Sequence, residues 1–173
     1  MGKIIRPNPV KLIIGAIFKE EEIIRNAERR LVRHFGTIDY SSRVMPFYHT
    51  EYYQKEFGSD LKRKFISFSS LIPPEDLARI KILTNRIERK FSLKNRRLIN
   101  IDPGYLDLAR LILASTKDFM HRIYLGRGIY AETTLFYQNN TFGPREWTYP
   151  DYRTADYIEV FNQIRKIYHG QIK

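Results

Sequence analysis

The chain has 173 residues, enough for one hydrophobic core and short for two, and its 43% hydrophobic and 14% aromatic content is that of a folded protein rather than a disordered one. Thirty Lys and Arg against nineteen Asp and Glu leave a formal charge of +11, which suits an anionic partner such as nucleic acid, a phosphorylated metabolite or an acidic surface. There is no cysteine, so disulfides, thiolate catalysis and cysteine-bound zinc are excluded.

The apolar run LIIGAIF from Leu12 is too short to span a bilayer, and MGKIIRPNPV has no signal-peptide core. A cytoplasmic protein with no membrane partner is expected, forming a single globular domain over residues 1–173. The lack of cysteine, with abundant Ile, Tyr, Lys and Arg, is in keeping with a heat-adapted source.

KLIIGAIF, Lys11 to Phe18, reads as a buried strand. KEEEIIRNAERRLVRHFG then predicts a helix: Glu20, Glu21 and Glu22 suit its N-terminus, Arg29, Arg30, Arg33 and His34 its C-terminus, and Gly36 a left-handed stop. Ile23, Ala27, Leu31 and Phe35 form its apolar stripe. TIDYSSRVMPFY is extended, HTEYYQKEFGSD is an aromatic loop, and LKRKFISFSSLI is another strand. A second helix opens at Pro73-Pro74-Glu75-Asp76, with Leu77, Ile80, Thr84, Ile87 and Phe91 on its apolar face. RRLINI returns as a strand, and Asp102-Pro103-Gly104-Tyr105 has the residues of a type II turn. ARLILAS is a further strand, and HRIYLGRGIYAETTLFY is a hairpin turning at Gly126-Arg127-Gly128. TFGPREWTYPDYRT reads as an aromatic loop, and Asp156 to Tyr168 as a final amphipathic helix. The order predicts an α+β fold with a mainly antiparallel sheet. Its core is a ferredoxin-like β-α-β-β-α-β unit with two helices on one side, extended by a strand, a β-hairpin and a C-terminal helix.

Candidate chemistry gathers between Asp102 and Arg153. Asp102 sits where a rigid turn would mount a carboxylate, or only hold the turn. If Leu125 pairs with Ile129, then Tyr124 faces Tyr130 and Arg122 faces Glu132, while His121 points to the other side of the sheet. LASTKDFMHR adds Ser115, Thr116, Lys117 and Asp118. Lys117 and Arg122 suit phosphate, whereas Asp102 and Asp118 form only a weak metal pattern. In REWTYPDYRT, Trp147 and Tyr149 either stack a ligand ring or close the core, Asp151 either caps the last helix or joins a site, and Arg153 is a candidate anion contact. From Leu61 to Asn100, eleven Lys and Arg meet three acids, a local +8 that is either an RNA-binding surface or a solvated helix face.

NIDPGYLDLARLILASTKDFMHRIYLGRGIYAETTLFY and WTYPDYR resemble a prokaryotic family, domain of unknown function family 4416; KLIIGAIF, the Tyr52-Tyr53 loop and TNRIE extend the resemblance through nearly the whole chain. The resemblance implies family membership and supplies no reaction. Some members carry the label GTP-binding protein. This chain has no G-x-x-x-x-G-K-S/T phosphate loop, and STKD has the wrong spacing for Asn-Lys-x-Asp. GRGIYA matches G-x-G-x-x-A, but β-branched and aromatic residues follow where a dinucleotide-binding helix would begin.

The leading expectation is a protein that binds a nucleotide or another phosphorylated compound. Asp102, His121 and Glu132 are its candidate catalytic groups, and Lys117, Arg122, Tyr124, Tyr130 and Arg153 its candidate ligand contacts. Mg²⁺ is the candidate cofactor. The alternatives are an RNA-binding module that uses the basic 61–100 segment, and a non-catalytic assembly protein that forms homo-oligomers.

Overall fold

All eight residues of strand β1 (Lys11–Phe18) are buried, which requires a layer on each face of the sheet that contains it. The computed structural model describes residues 2–48, 59–93 and 96–173. Most of the aromatic loop HTEYYQKEFGSD, including Tyr52 and Tyr53, lies outside the described residues, as does Lys94.

After β1 come helix α1 (Glu21–Phe35), strands β2 (Ile38–Ser41), β3 (Met45–Pro46) and β4 (Lys62–Phe68), and helix α2 (Leu77–Lys90) behind a 3-10 turn at Pro74–Asp76. Strands β5 (Ser92–Leu93) and β6 (Arg96–Arg97) pair with each other, and β7 (Ile99–Leu106) and β8 (Arg110–Ser115) follow. The chain ends with β9 (Ile123–Gly126), β10 (Ile129–Gln138), β11 (Thr141–Pro144) and helix α3 (Ala155–Gln171). Among the described residues nine strands form one sheet in the order β11-β10-β8-β7-β1-β4-β2, with β3 on β4 and β9 on β10, and every ladder is antiparallel. Its inner part, β7-β1-β4-β2, threaded through α1 and α2, is the expected split β-α-β-β-α-β unit.

The period-2 alternation of β1 sorts its side chains between two cores. Leu12, Ile14, Ala16 and Phe18 pack with Ile24, Ala27 and Leu31 of α1 and with Ile80 and Ile87 of α2. Ile13 faces the other way, toward Tyr157, Phe161, Ile164 and Tyr168 of α3. Each such side chain contributes roughly 1.5–3 kcal/mol by leaving water. At the start of β1 the buried Lys11 donates to Asp39 and, at 2.7 Å, to Gln171 Oε1, tying β1 and β2 to the end of α3. Burial holds this lysine below its usual pKa despite the Asp39 charge.

Three expectations are corrected. Thr141–Pro144, taken as loop, is an edge strand on β10. In the β9–β10 hairpin Tyr124 does pair with Tyr130, but Gly126 rather than Leu125 faces Ile129, because a register shift lies between Ile129 and Tyr130. Most consequential, Asp102-Pro103-Gly104-Tyr105 is no turn but the middle of β7, with Asp102 opposite Gly15 and Pro103 opposite Ile14. The Pro-Gly pair serves a strand here. Gly104 approaches β8 so closely that a Cβ would lie 2.4 Å from the Ile112 carbonyl oxygen, so only glycine fits. Pro103 brings no N–H, and the β7–β8 ladder stops at Gly104–Leu113. Beyond that pair β7 stays on β1 and β8 on β10, but the two no longer pair with each other.

Candidate ligand-binding site

A cavity of about 480 Å³ occupies the place where β7 and β8 part, a volume in the range of small-molecule sites. Cross-strand register explains which side chains meet there. Arg63 and Asn100 both pair with Ile17, Asp102 pairs with Gly15, and Leu113 links Gly104 to Glu132, which puts Arg63, Asn100, Asp102 and Glu132 on the α3 side of the sheet. The loop before α3 brings Tyr149, Pro150, Asp151 and Tyr152 over this end, and α2 reaches it with Lys81, Glu88 and Arg89.

The open edge of β7 is closed by side chains of α2. The Ile101 N–H donates to Glu88 Oε1 at 2.6 Å, and Lys81 Nζ donates to the Ile101 carbonyl at 3.2 Å. These contacts replace the missing ladder, since a buried backbone group without a partner costs roughly 1–3 kcal/mol. Lys81 also donates to Asp102 Oδ1 at 3.1 Å, and Asn100 Nδ2 to Asp102 Oδ2 at 2.5 Å. Burial pushes the Asp102 carboxyl up, but Lys81, Arg63 and the two hydrogen bonds outweigh it and hold the group below its usual range. For Glu88 the balance goes the other way: burial prevails over Lys81, the Ile101 amide and Arg97, which donates to it at 3.0 Å, and its pKa is raised.

Arg63 is the least satisfied group in the cavity wall. Only 3% exposed, it donates from Nη2 to Asp151 Oδ2 at 2.8 Å, while Nε and Nη1, like the buried Tyr157 hydroxyl, make no hydrogen bond among the described residues. Rings of Phe47, Phe65 and Tyr152 stand 5.1, 5.3 and 5.5 Å from its guanidinium carbon. Gly15 makes the space, because a Cβ there would lie 3.1 Å from Arg63 Nη1 and 2.9 Å from the Phe65 ring. Burial opposes the charge, but Tyr152, Asp151, Tyr157 and Asp102 outweigh it and raise the pKa further, so Arg63 stays a cation.

A second cluster forms the opposite wall. Glu132 Oε2 accepts from His121 Nε2 and from Arg122 Nε, both at 2.9 Å. Arg122 also donates from Nη1 to Ser115 Oγ at 3.2 Å and to the Lys117 carbonyl at 2.9 Å, and from Nη2 to the Tyr149 hydroxyl at 2.7 Å. His121 stacks on Trp147 at 5.2 Å and 13°, and Trp147 Nε1 donates to the Thr133 carbonyl at 2.8 Å.

Of the candidate residues, Asp102, Lys117, Arg122 and Glu132 line one cavity. His121 stands just behind it and shares Glu132 with Arg122. The expectation that these two neighbours face apart is overturned, because β9 begins only at Ile123 and strand alternation does not bind them. Tyr124 and Tyr130 pack on each other at 5.2 Å in the hairpin and do not line the cavity. Arg153 laces the carbonyls of Thr148, Arg145 and Glu146 and is also outside it. Asp118 is exposed in the connection between β8 and β9, and among the described residues no group of three His, Asp or Glu stands as a metal cluster. Mg²⁺ at Asp102 would compete with Lys81. Asp151 does not cap α3, where Thr154 holds the N-cap position; it pairs with Arg63.

The residues that sequence reading passed over are Arg63, Lys81, Glu88 and Asn100. A signal existed for two of them. Lys81 follows Leu77 by four residues and Glu88 follows Thr84 by four, so both charges fall on the buried face of α2.

A family model described as Domain of unknown function (DUF4416) matches residues 8–168 of the 173. The chain belongs to this family. The DUF4416 match takes in every cavity residue named above, from Phe47 to Tyr152. Searches of curated proteins and of solved structures return no match.

Proposed function

We propose that the cavity binds a small phosphorylated compound, with Arg63 as the receptor for its phosphate. The carrying observation is the buried guanidinium with two nitrogens, Nε and Nη1, that make no hydrogen bond among the described residues, each a cost of roughly 1–3 kcal/mol that an anion would remove. Charge balance supports the same reading. Among the described residues, six cations line the cavity, Arg63, Lys81, Arg89, Arg97, Lys117 and Arg122, against four carboxylates, Glu88, Asp102, Glu132 and Asp151. Each of these carboxylates is paired with one of the cations. Binding is better supported than catalysis, because Asp102 already holds two side-chain partners and Glu132 three. Action in the cytoplasm is part of the proposal.

The RNA alternative loses much of its charge to internal pairs. Lys62, Arg63, Lys64, Arg79, Lys81 and Arg97, six of the eleven bases in the Leu61–Asn100 segment, are held by carboxylates.

Calorimetric titration with ribose 5-phosphate tests the proposal, using wild type and an Arg63→Met, Asp151→Leu double variant that removes the buried pair together. Binding by wild type and a loss of about tenfold or more in the double variant are expected. Equal affinities, or no binding by wild type, would refute it.

A further inference from the structure

Exposed apolar surface is concentrated in two segments, one that follows the cavity residue Lys117 and one that contains the cavity residue Tyr149. Of fourteen large hydrophobic side chains exposed among the described residues, seven come from Phe119–Leu125 and Trp147–Tyr149. Two of the rings are fixed in place. Tyr149 lines the cavity, is 46% exposed, and is held through its hydroxyl by Arg122 at 2.7 Å. Trp147, 38% exposed, lies one side chain further out: it stacks on His121, whose partner is the cavity residue Glu132, and its indole N–H is tied to Thr133. Rings immobilised in this way lose little further freedom when a planar group stacks on them.

We infer that the ligand is a nucleotide, its phosphate turned toward Arg63 and its base stacked against Tyr149 and Trp147 at the rim. This rests on the phosphate reading above and specifies the rest of the molecule. A sugar phosphate would leave the exposed rings unused, whereas every nucleobase offers a π-face. A second copy of the chain is a poorer occupant, because a two-fold contact here would bring together two cavities that are each lined, among the described residues, by six cations.

The test is a ligand series on the wild-type protein, read by calorimetry and by the emission of Trp147, the one tryptophan in the chain. GMP and AMP bind at least about tenfold more tightly than ribose 5-phosphate and quench Trp147, whereas ribose 5-phosphate binds without quenching. In Tyr149→Leu the affinity for GMP falls to that for ribose 5-phosphate, while Tyr149→Phe, which keeps the ring, retains the advantage. Equal binding of GMP and ribose 5-phosphate, with no change in emission, overturns the base site and leaves the phosphate reading standing. Failure of every phosphate compound to bind overturns both. Emission that follows protein concentration and ignores nucleotide assigns the surface to a second copy and also overturns the inference.

Discussion

Lys81 and Asp102 meet at 3.1 Å although α2 lies on one face of the sheet and the Asp102 side chain on the other. They meet because β7 and β8 part beyond Gly104–Leu113, and the gap that admits the lysine is also the cavity. Local sequence, strand pairing and site are linked at this point. Pro103 removes a donor, Gly104 permits the last close approach, and charges from α2 satisfy the edge that is exposed.

Asp102 makes stability depend on pH in a defined direction. Its folded pKa is depressed below the ordinary 3.8, so its contribution is present above that value and disappears as pH falls through the lower folded one. Asp102→Asn is expected to cost about 1–3 kcal/mol near neutral pH, since Lys81 loses its charged partner. Urea denaturation across the acid range should show the gap to wild type closing below the ordinary carboxylate value. Glu88, whose pKa is raised, works in the opposite sense, because its ionisation cost is relieved on acidification.

Removing Arg63 alone should be far worse than removing the pair. Arg63→Met leaves Asp151 buried at 2.8 Å from nothing that neutralises it, a loss of about 3–5 kcal/mol. Adding Asp151→Leu should recover most of that, because apolar replacements of buried ion pairs are often neutral. A double-mutant cycle from chemical denaturation measures the coupling. Additive losses would mean that the pair does not interact.

Gly104→Ala tests the strand reading of the Asp102–Tyr105 segment. With a backbone oxygen 2.4 Å from the new Cβ, the strands must separate, at a cost of about 1–3 kcal/mol or more. An alanine scan read by thermal melting should place Gly104 among the costly glycines. A neutral result would favour an exposed turn instead.

Arg122 joins Glu132, Ser115, the Lys117 carbonyl and Tyr149, so its truncation should loosen the whole wall. Arg122→Ala leaves the buried Glu132 with His121 and Thr134 only, and a loss of about 3–5 kcal/mol is expected. Hydrogen exchange should rise at Ser115–Lys117 and around Tyr149 together. Exchange confined to one of the two segments would contradict the bridging role.

The split β-α-β-β-α-β core was legible because its signals are local: continuous burial in Lys11–Phe18, acidic and basic helix ends, and a stop at Gly36. The stretch from Asp102 to Arg153 stands out in the sequence because its polar residues are dense, and four of its candidate residues line one cavity. The turn reading failed because Pro-Gly has the same letters in a turn as in a strand whose neighbour departs, and only the distant β8 decides between them. Arg63 was hidden for a similar reason. Its carboxylate partner is 88 residues away, and its neighbours Lys62 and Lys64 made it look like part of a solvated run. Arg153, prominent in an aromatic loop, spends its donors on backbone carbonyls, a use no side-chain pattern announces.

A crystal structure of the protein soaked with GMP examines the central claim most directly, at the Arg63 guanidinium. A phosphate oxygen about 2.7–3.1 Å from Nε or Nη1 is the predicted result. Phosphate seated elsewhere, with Arg63 held by Asp151 alone as before, would contradict it.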